Sequence, residues 1–305
     1  METFEKIEFR KSRDFSGIIN ATFTFVRHEF KKLGKCMIFI VGPPILLAAL
    51  VYGSGDIDVL LGTQQTVSAQ WFLYYFVYIG ILMLAGPLMT GVVYQYIVLY
   101  MDRDDPMIEV NDVWKAVKKK YWRILFTLVG IGLAVGFIFV VSFAVMGILG
   151  MNFAAFLAFI AFFCFAAYLY IALSLALFAL LRENIPISQA FSRSIELVRG
   201  HWWFTFGISV LMVIVQYSLS FIFLIPQYTL TFIISAHTSD GAAISTGYRA
   251  AFVAATLTAN FGTYTFYCLP LIALAFQYNN LVERKEAAGL LKDIQAIGQE
   301  TPDGP

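Results

Sequence analysis

Across 305 residues, 21 Lys or Arg and 20 Asp or Glu give 13% charge and a net charge of +1, where a soluble domain carries about 25% charged residues. With 59% hydrophobic residues, 30 Phe and a mean hydropathy of +0.74, the composition excludes a disordered chain, a nucleic-acid binder relying on a basic surface, and almost any water-soluble fold. It reads as an integral membrane protein.

The first 35 residues are charged throughout and hold no apolar run of signal-peptide length, so no secretory leader is expected. Five charge-free runs follow, at 36–55, 59–101, 124–181, 200–239 and 250–282. A helix needs roughly 20 apolar residues to cross the hydrocarbon core. The first run predicts a span over about 36–53, broken by Pro43-Pro44. The second opens with a polar stretch and predicts one span over about 71–100, kinked at Pro87. The third is long enough for two, 124–147 and 153–181, folded back between Gly147 and Asn152. The fourth, interrupted by Pro226, predicts a span over 204–225 with an outer-leaflet extension to Ala236; the fifth predicts 250–281, kinked at Pro270. Residues 283–305 read as a cytoplasmic tail, a short helix and then disorder. Nothing alternates with the period of barrel strands. The expected fold is all-α, a polytopic membrane bundle of six transmembrane helices forming one domain over 1–282.

Lys and Arg set the orientation. Residues 1–35 hold eight, 102–123 six, 182–203 three and the tail three; the remaining segments hold only Arg249. Both termini and the two basic loops are therefore expected in the cytoplasm.

An internal pattern recurs. Ile19, Phe23, Val26 and Phe30 form an amphipathic helical stripe, repeated by Val110, Trp114, Val117 and Tyr121 and by Phe191, Ile195, Val198 and Trp202, at offsets of 91 and 81. Each Val precedes a basic residue (Arg27, Lys118, Arg199), each stripe ends in an aromatic, and a span follows. The pattern predicts three repeats, about 14–101, 106–181 and 186–282. Each comprises an interfacial amphipathic helix and a transmembrane hairpin, with the Lys/Arg face on anionic inner-leaflet lipid. Phe30, Tyr121, Trp122, Trp202 and Trp203 fall at the depth aromatic rings favour. Ser16 and Ser188 are the expected helix starts.

The returning spans share features. Pro87 precedes Gln95-Tyr96 and Pro270 precedes Gln277-Tyr278; the span over 153–181 has neither. No charged residue lies within a predicted span, which disfavours a proton relay. Gln95 and Gln277 are expected at the inner, water-accessible boundary, and Gln216 and Asn260 deeper, hydrogen-bonding between helices or lining a polar cavity. Gly132-x-x-x-Gly136, Ala154-x-x-x-Ala158 and Ala172-x-x-x-Ala176 offer close helix approach, inside the bundle or between copies. Three Cys (Cys36, Cys164, Cys268) and three His (His28, His201, His237) lack disulfide or metal spacing. No catalytic constellation is found, and no cofactor, metal or nucleic acid is expected.

Glu183 to Ser194, continuing through Glu196-Leu197-Val198-Arg199-Gly200-His201-Trp202-Trp203 to Phe206-Gly207, resembles a cytoplasmic segment in a family of bacterial six-span membrane proteins. That family is related to the membrane-anchor domain of glycerophosphodiester phosphodiesterases. The resemblance is specific over about 25 residues. It implies a six-helix bundle of the bacterial inner membrane and carries over no catalytic residue, because the family's phosphodiesterase activity belongs to a separate soluble domain. Two functions remain open: a non-enzymatic bundle contacting lipid or protein partners, including further copies of itself, in a membrane complex; or a permease for an apolar or amphipathic small molecule working through the proline kinks.

Overall fold

The computed structural model describes residues 6–54, 69–103, 108–150, 152–239 and 245–286; the expected disordered tail and the polar stretch before the second span lie outside them. Among these residues every regular element is helical. The order is α1 (Phe15–Ile40), α2 (Gly42–Ser54), α3 (Ala69–Asp102), α4 (Val110–Leu149), α5 (Phe153–Leu173), α6 (Ala176–Glu183), α7 (Ile187–Val198), α8 (Trp202–Ser239), α9 (Thr246–Phe266) and α10 (Cys268–Glu286).

Five stretches are long and apolar enough to cross a membrane, and α1 with α2, bent by 53°, makes a sixth. Their outer faces stay apolar without cover: Leu133 and Phe137 of α4 are 69% and 68% exposed. In water such a band would aggregate; in lipid it is the ordinary exterior. The molecule is a multi-pass integral membrane protein.

The polar ends meet on one face. Lys6 Nζ donates to Arg103 O at 2.6 Å and Ile7 N to the Tyr100 hydroxyl at 3.1 Å, joining the N-terminal segment to the end of α3. Arg182 pairs with Asp102, joining α6 to α3. Lys285 Nζ donates to Arg199 O at 3.1 Å and Arg284 Nη2 to Arg13 O at 2.8 Å. The N-terminal segment, both basic loops and the end of α10 thus share one charged end, as the basic-residue distribution requires. Phe9 plugs that end, stacked on Phe276 at 4.1 Å and edge-on to Phe25 and Tyr100.

Three helix segments fill the centre at the charged end and are buried on every side: residues 89–98 of α3, 175–181 of α6, and 268–281 of α10 apart from Leu274. They are the inner ends of the three returning spans. Gly91 lets α4 approach α3 closely: a Cβ there would meet Ile124 Cδ1 at 2.9 Å. Gly262 of α9 packs directly on Phe223 of α8, leaving no room for a methyl.

Several boundaries differ from the sequence reading, for physical reasons. The N-cap of α1 is Asp14, two residues before Ser16: Asp14 is extended and accepts the Gly17 N–H at 2.9 Å, and Ser16 Oγ donates to the same carboxylate. These bonds hold the Asp14 carboxyl below the usual carboxylate range. Pro186, not Ser188, precedes α7, its extended backbone opening the helix at Ile187. The second amphipathic stripe is no separate helix but the first turns of α4, which runs 40 residues, about 60 Å at 1.5 Å per residue. α8 passes through Pro226 unbroken for 38 residues; in lipid an unsatisfied backbone is costly, so helix persists past a missing N–H. Pro43 and Pro44 sit in the first turn of α2, where no intrahelical N–H is needed, and the bend falls before them at Val41. Pro87 lies inside α3, while the chain breaks at Tyr267, three residues before Pro270. A built Cβ at Gly132 or Gly136 meets nothing within 4 Å, so that pair makes no close packing inside the described bundle.

Candidate functional site

Two features dominate the charged half: a polar hub on α10 and a cleft on the lipid flank. Gln277 Nε2 donates to Thr205 Oγ1 of α8 at 2.9 Å, and Gln277 Oε1 accepts from Asn280 Nδ2 at 3.1 Å. Asn280 Oδ1 accepts from the Arg13 N–H at 2.9 Å and from Arg284 Nε at 3.2 Å. Tyr278 donates its hydroxyl proton to Glu183, which also pairs with Arg193 at 3.0 Å; Arg193 in turn holds Glu286. One helical turn of α10 therefore ties the N-terminal segment, α6, α7 and α8 together. A network of this kind, buried at Gln277 and Asn280 and reaching the surface at Arg193 and Glu286, favours one packing arrangement. Glu29 of α1, 7% exposed, accepts from the Tyr96 hydroxyl at 2.6 Å, a second returning-span tyrosine on a carboxylate and here a buried one.

The break between α5 and α6 has a side chain in it. Ser194 Oγ of α7 accepts the Leu175 N–H at 3.2 Å and donates to Ala172 O at 2.7 Å. A hydroxyl inserted into the backbone ladder interrupts a helix much as proline does, which accounts for the break at Ser174–Leu175 in a returning span that carries no proline.

Aromatic residues at the ends of the stripes face the preceding returning span. The Tyr121 hydroxyl donates to Leu84 O of α3 at 2.9 Å, and Trp202 Nε1 donates to Tyr168 O of α5 at 3.1 Å. The same offsets place Phe30 at the corresponding position on α1, and phenylalanine has no proton to donate. There the structure opens. A cleft of about 710 Å³ lies between α1–α2 and α8–α9, lined by Phe30, Ile38, Ile45, Phe223, Leu257 and Phe261 among other apolar side chains, with Lys31 and Lys35 at the charged end.

The remaining predicted residues separate. Arg27 on α1, Lys118 on α4 and Arg199 after α7 are each exposed, as is Trp203 at 77%; Trp202 stacks on Tyr168 and Phe206. Gln277 is fully buried rather than at a wet boundary, and Gln95 is 3% exposed with its Nε2 unpartnered among the described residues. Asn260 Nδ2 returns to Thr256 O of its own helix at 2.9 Å instead of crossing to a neighbour; Gln216 is buried. No cluster of His, Cys, Asp or Glu among the described residues has metal-binding geometry. The sequence reading missed Thr205, Ser194, Glu29 and Glu183. The Gln-Tyr pairs were the available signal for the hub; the serine and threonine carried none.

No known family model, characterised protein or solved structure matches the chain.

Proposed function

We propose that this protein is a non-enzymatic bundle of the bacterial inner membrane, its charged end in the cytoplasm, that holds lipid as part of a membrane complex. The carrying observation is the cleft. It is apolar along its length, opens on the flank of the bundle, and has Lys31 and Lys35 at the charged end. From Lys31 to Leu46 is 15 residues, about 20 Å of helix once the 53° bend at Val41 is allowed for, more than half the roughly 30 Å core. An acyl chain of one leaflet fits that depth, and an anionic headgroup meets the two lysines. Juxtamembrane lysines attract anionic lipid by about 1 kcal/mol each. Arg27, Lys118 and Arg199 extend the same attraction around the charged end. Relation to the six-span family of the glycerophosphodiester phosphodiesterase anchor domain is part of the proposal, resting on residues 183–207. Central helix ends buried on every side favour holding a ligand at the flank over passing one through.

The test is native mass spectrometry of protein purified with its own lipids. Retained anionic phospholipid is expected, reduced by the Lys31→Glu/Lys35→Glu pair and further by Arg27→Glu, Lys118→Glu and Arg199→Glu together. Equal retention in all variants would refute it.

A further inference from the structure

A second cavity, of about 460 Å³, lies at the charged end between the last turn of α3, the start of α4 and the end of α6. Its charged lining is Lys119, Lys120, Arg123 and Arg182 against a single carboxylate, Asp102. Asp102 is engaged by Arg182. The other three cations form no salt bridge among the described residues, and only Lys120 feels the charge of Asp102. Lys120 Nζ donates to Leu181 O at 3.1 Å; Arg123 donates to Asn184 Oδ1 at 2.9 Å and to Ile185 O. These acceptors are neutral. They satisfy the free carbonyls at the end of α6, where Asn184 takes a left-handed conformation (φ 54°), and leave the positive charge of the donors unbalanced. Lys120 and Arg123 are also held half-buried, where an uncompensated charge costs more than at a free surface.

A further donor lies on α3 one turn before Val98, outside the cavity lining itself. Gln95 precedes Val98 and Asp102, both cavity-lining residues, by three and seven positions, so all three share one face of α3. Gln95 is buried and its Nε2 is unpartnered among the described residues.

We infer that this cavity is a binding site for a phosphomonoester group, with Lys119, Lys120 and Arg123 supplying the charge. Three cations more than offset a doubly charged phosphate, and the guanidinium and ammonium groups are the usual donors for it. The volume falls in the range of small-ligand sites. The phosphate can reach the cavity on a lipid headgroup of the phosphatidic-acid kind or as a soluble phosphorylated compound; the chemistry of recognition is the same.

The experiment uses the full chain in nanodiscs. One arm titrates inorganic phosphate and glycerol phosphate against zwitterionic discs by calorimetry; the other compares binding of phosphatidic acid with phosphatidylglycerol by native mass spectrometry. Saturable phosphate binding in the first arm, or in the second a preference for phosphatidic acid over phosphatidylglycerol that the Lys119 and Lys120 variants below remove, supports the site and names its source. Lys119→Gln, which removes no capping bond, is expected to weaken binding about threefold or more, and Lys120→Gln about tenfold or more, since hydrogen bonds to charged groups are the strong ones. Lys120→Arg should restore most of the affinity if charge is what matters. The cleft lysines Lys31 and Lys35 do not line this cavity, so inorganic phosphate binding, which needs no acyl chain, reads this site apart from the cleft. No saturable binding in either arm, or affinity unaltered in both Gln variants, would overturn the inference.

Discussion

At the junction of α3 with α4, Tyr121 reaches across to Leu84 O, and at the junction of α5 with α8, Trp202 reaches Tyr168 O. At the junction of α1 with α9, the corresponding residue is Phe30, and a lipid-facing cleft opens beside it. The difference is one polar atom. Aromatic rings with a donor satisfy a neighbouring backbone carbonyl and draw two helices together at the interface. A ring without a donor makes only dispersion contacts, which a lipid chain makes equally well. Two closed junctions and one open one thus arise from similar sequences, and the open one is where the proposed lipid would sit.

The largest expected effects come from closing space that packing has already used. Gly262→Ala drives a methyl into Phe223 beside the cleft and should destabilise the fold by about 1–3 kcal/mol, read as a lower melting temperature in detergent. Gly91→Ala, against Ile124 at 2.9 Å, should act in the same direction but less, because a side-chain end can move. Ser194→Ala removes the hydroxyl that interrupts the helix between α5 and α6 and strands a buried N–H and a carbonyl; about 1–3 kcal/mol is expected, and a melting temperature equal to wild type would contradict the account of that break. The Lys31→Glu/Lys35→Glu pair should lower the ratio of anionic to zwitterionic lipid retained by roughly tenfold or more. Smallest is Tyr121→Phe, which gives a closed junction the chemistry of the open one; a loss of about 1 kcal/mol and additional lipid retention near Leu84 are expected.

The spans and their grouping at one charged end were readable because hydrophobic length and the placement of Lys and Arg act on whole segments. Single-atom events were not. Pro226 leaves α8 intact, whereas Ser194, which looks like an ordinary exposed residue of an amphipathic helix, breaks a different helix 20 residues upstream. The packed face of α1 is Ile18, Thr22, Phe25, Glu29 and Leu33, one position away from the apolar stripe that stands out in the sequence. A threonine and a glutamate on the inward face hide it from any hydrophobic count. The neighbouring stripe is the one the sequence advertises, and only its last residue, Phe30, borders the cleft. The cleft needs α1, α2, α8 and α9 together, and no local pattern specifies that meeting.

The claim that the open junction holds lipid is tested most directly by photo-crosslinking with a phosphatidylglycerol bearing a diazirine in its acyl chain, followed by peptide mapping. Labelling is expected to concentrate on the cleft residues Ile45, Leu257 and Phe261 and to fall sharply in the Lys31→Glu/Lys35→Glu pair. Labelling spread evenly over the exposed apolar band, including Leu133 and Phe137 of α4, and indifferent to that pair, would contradict it.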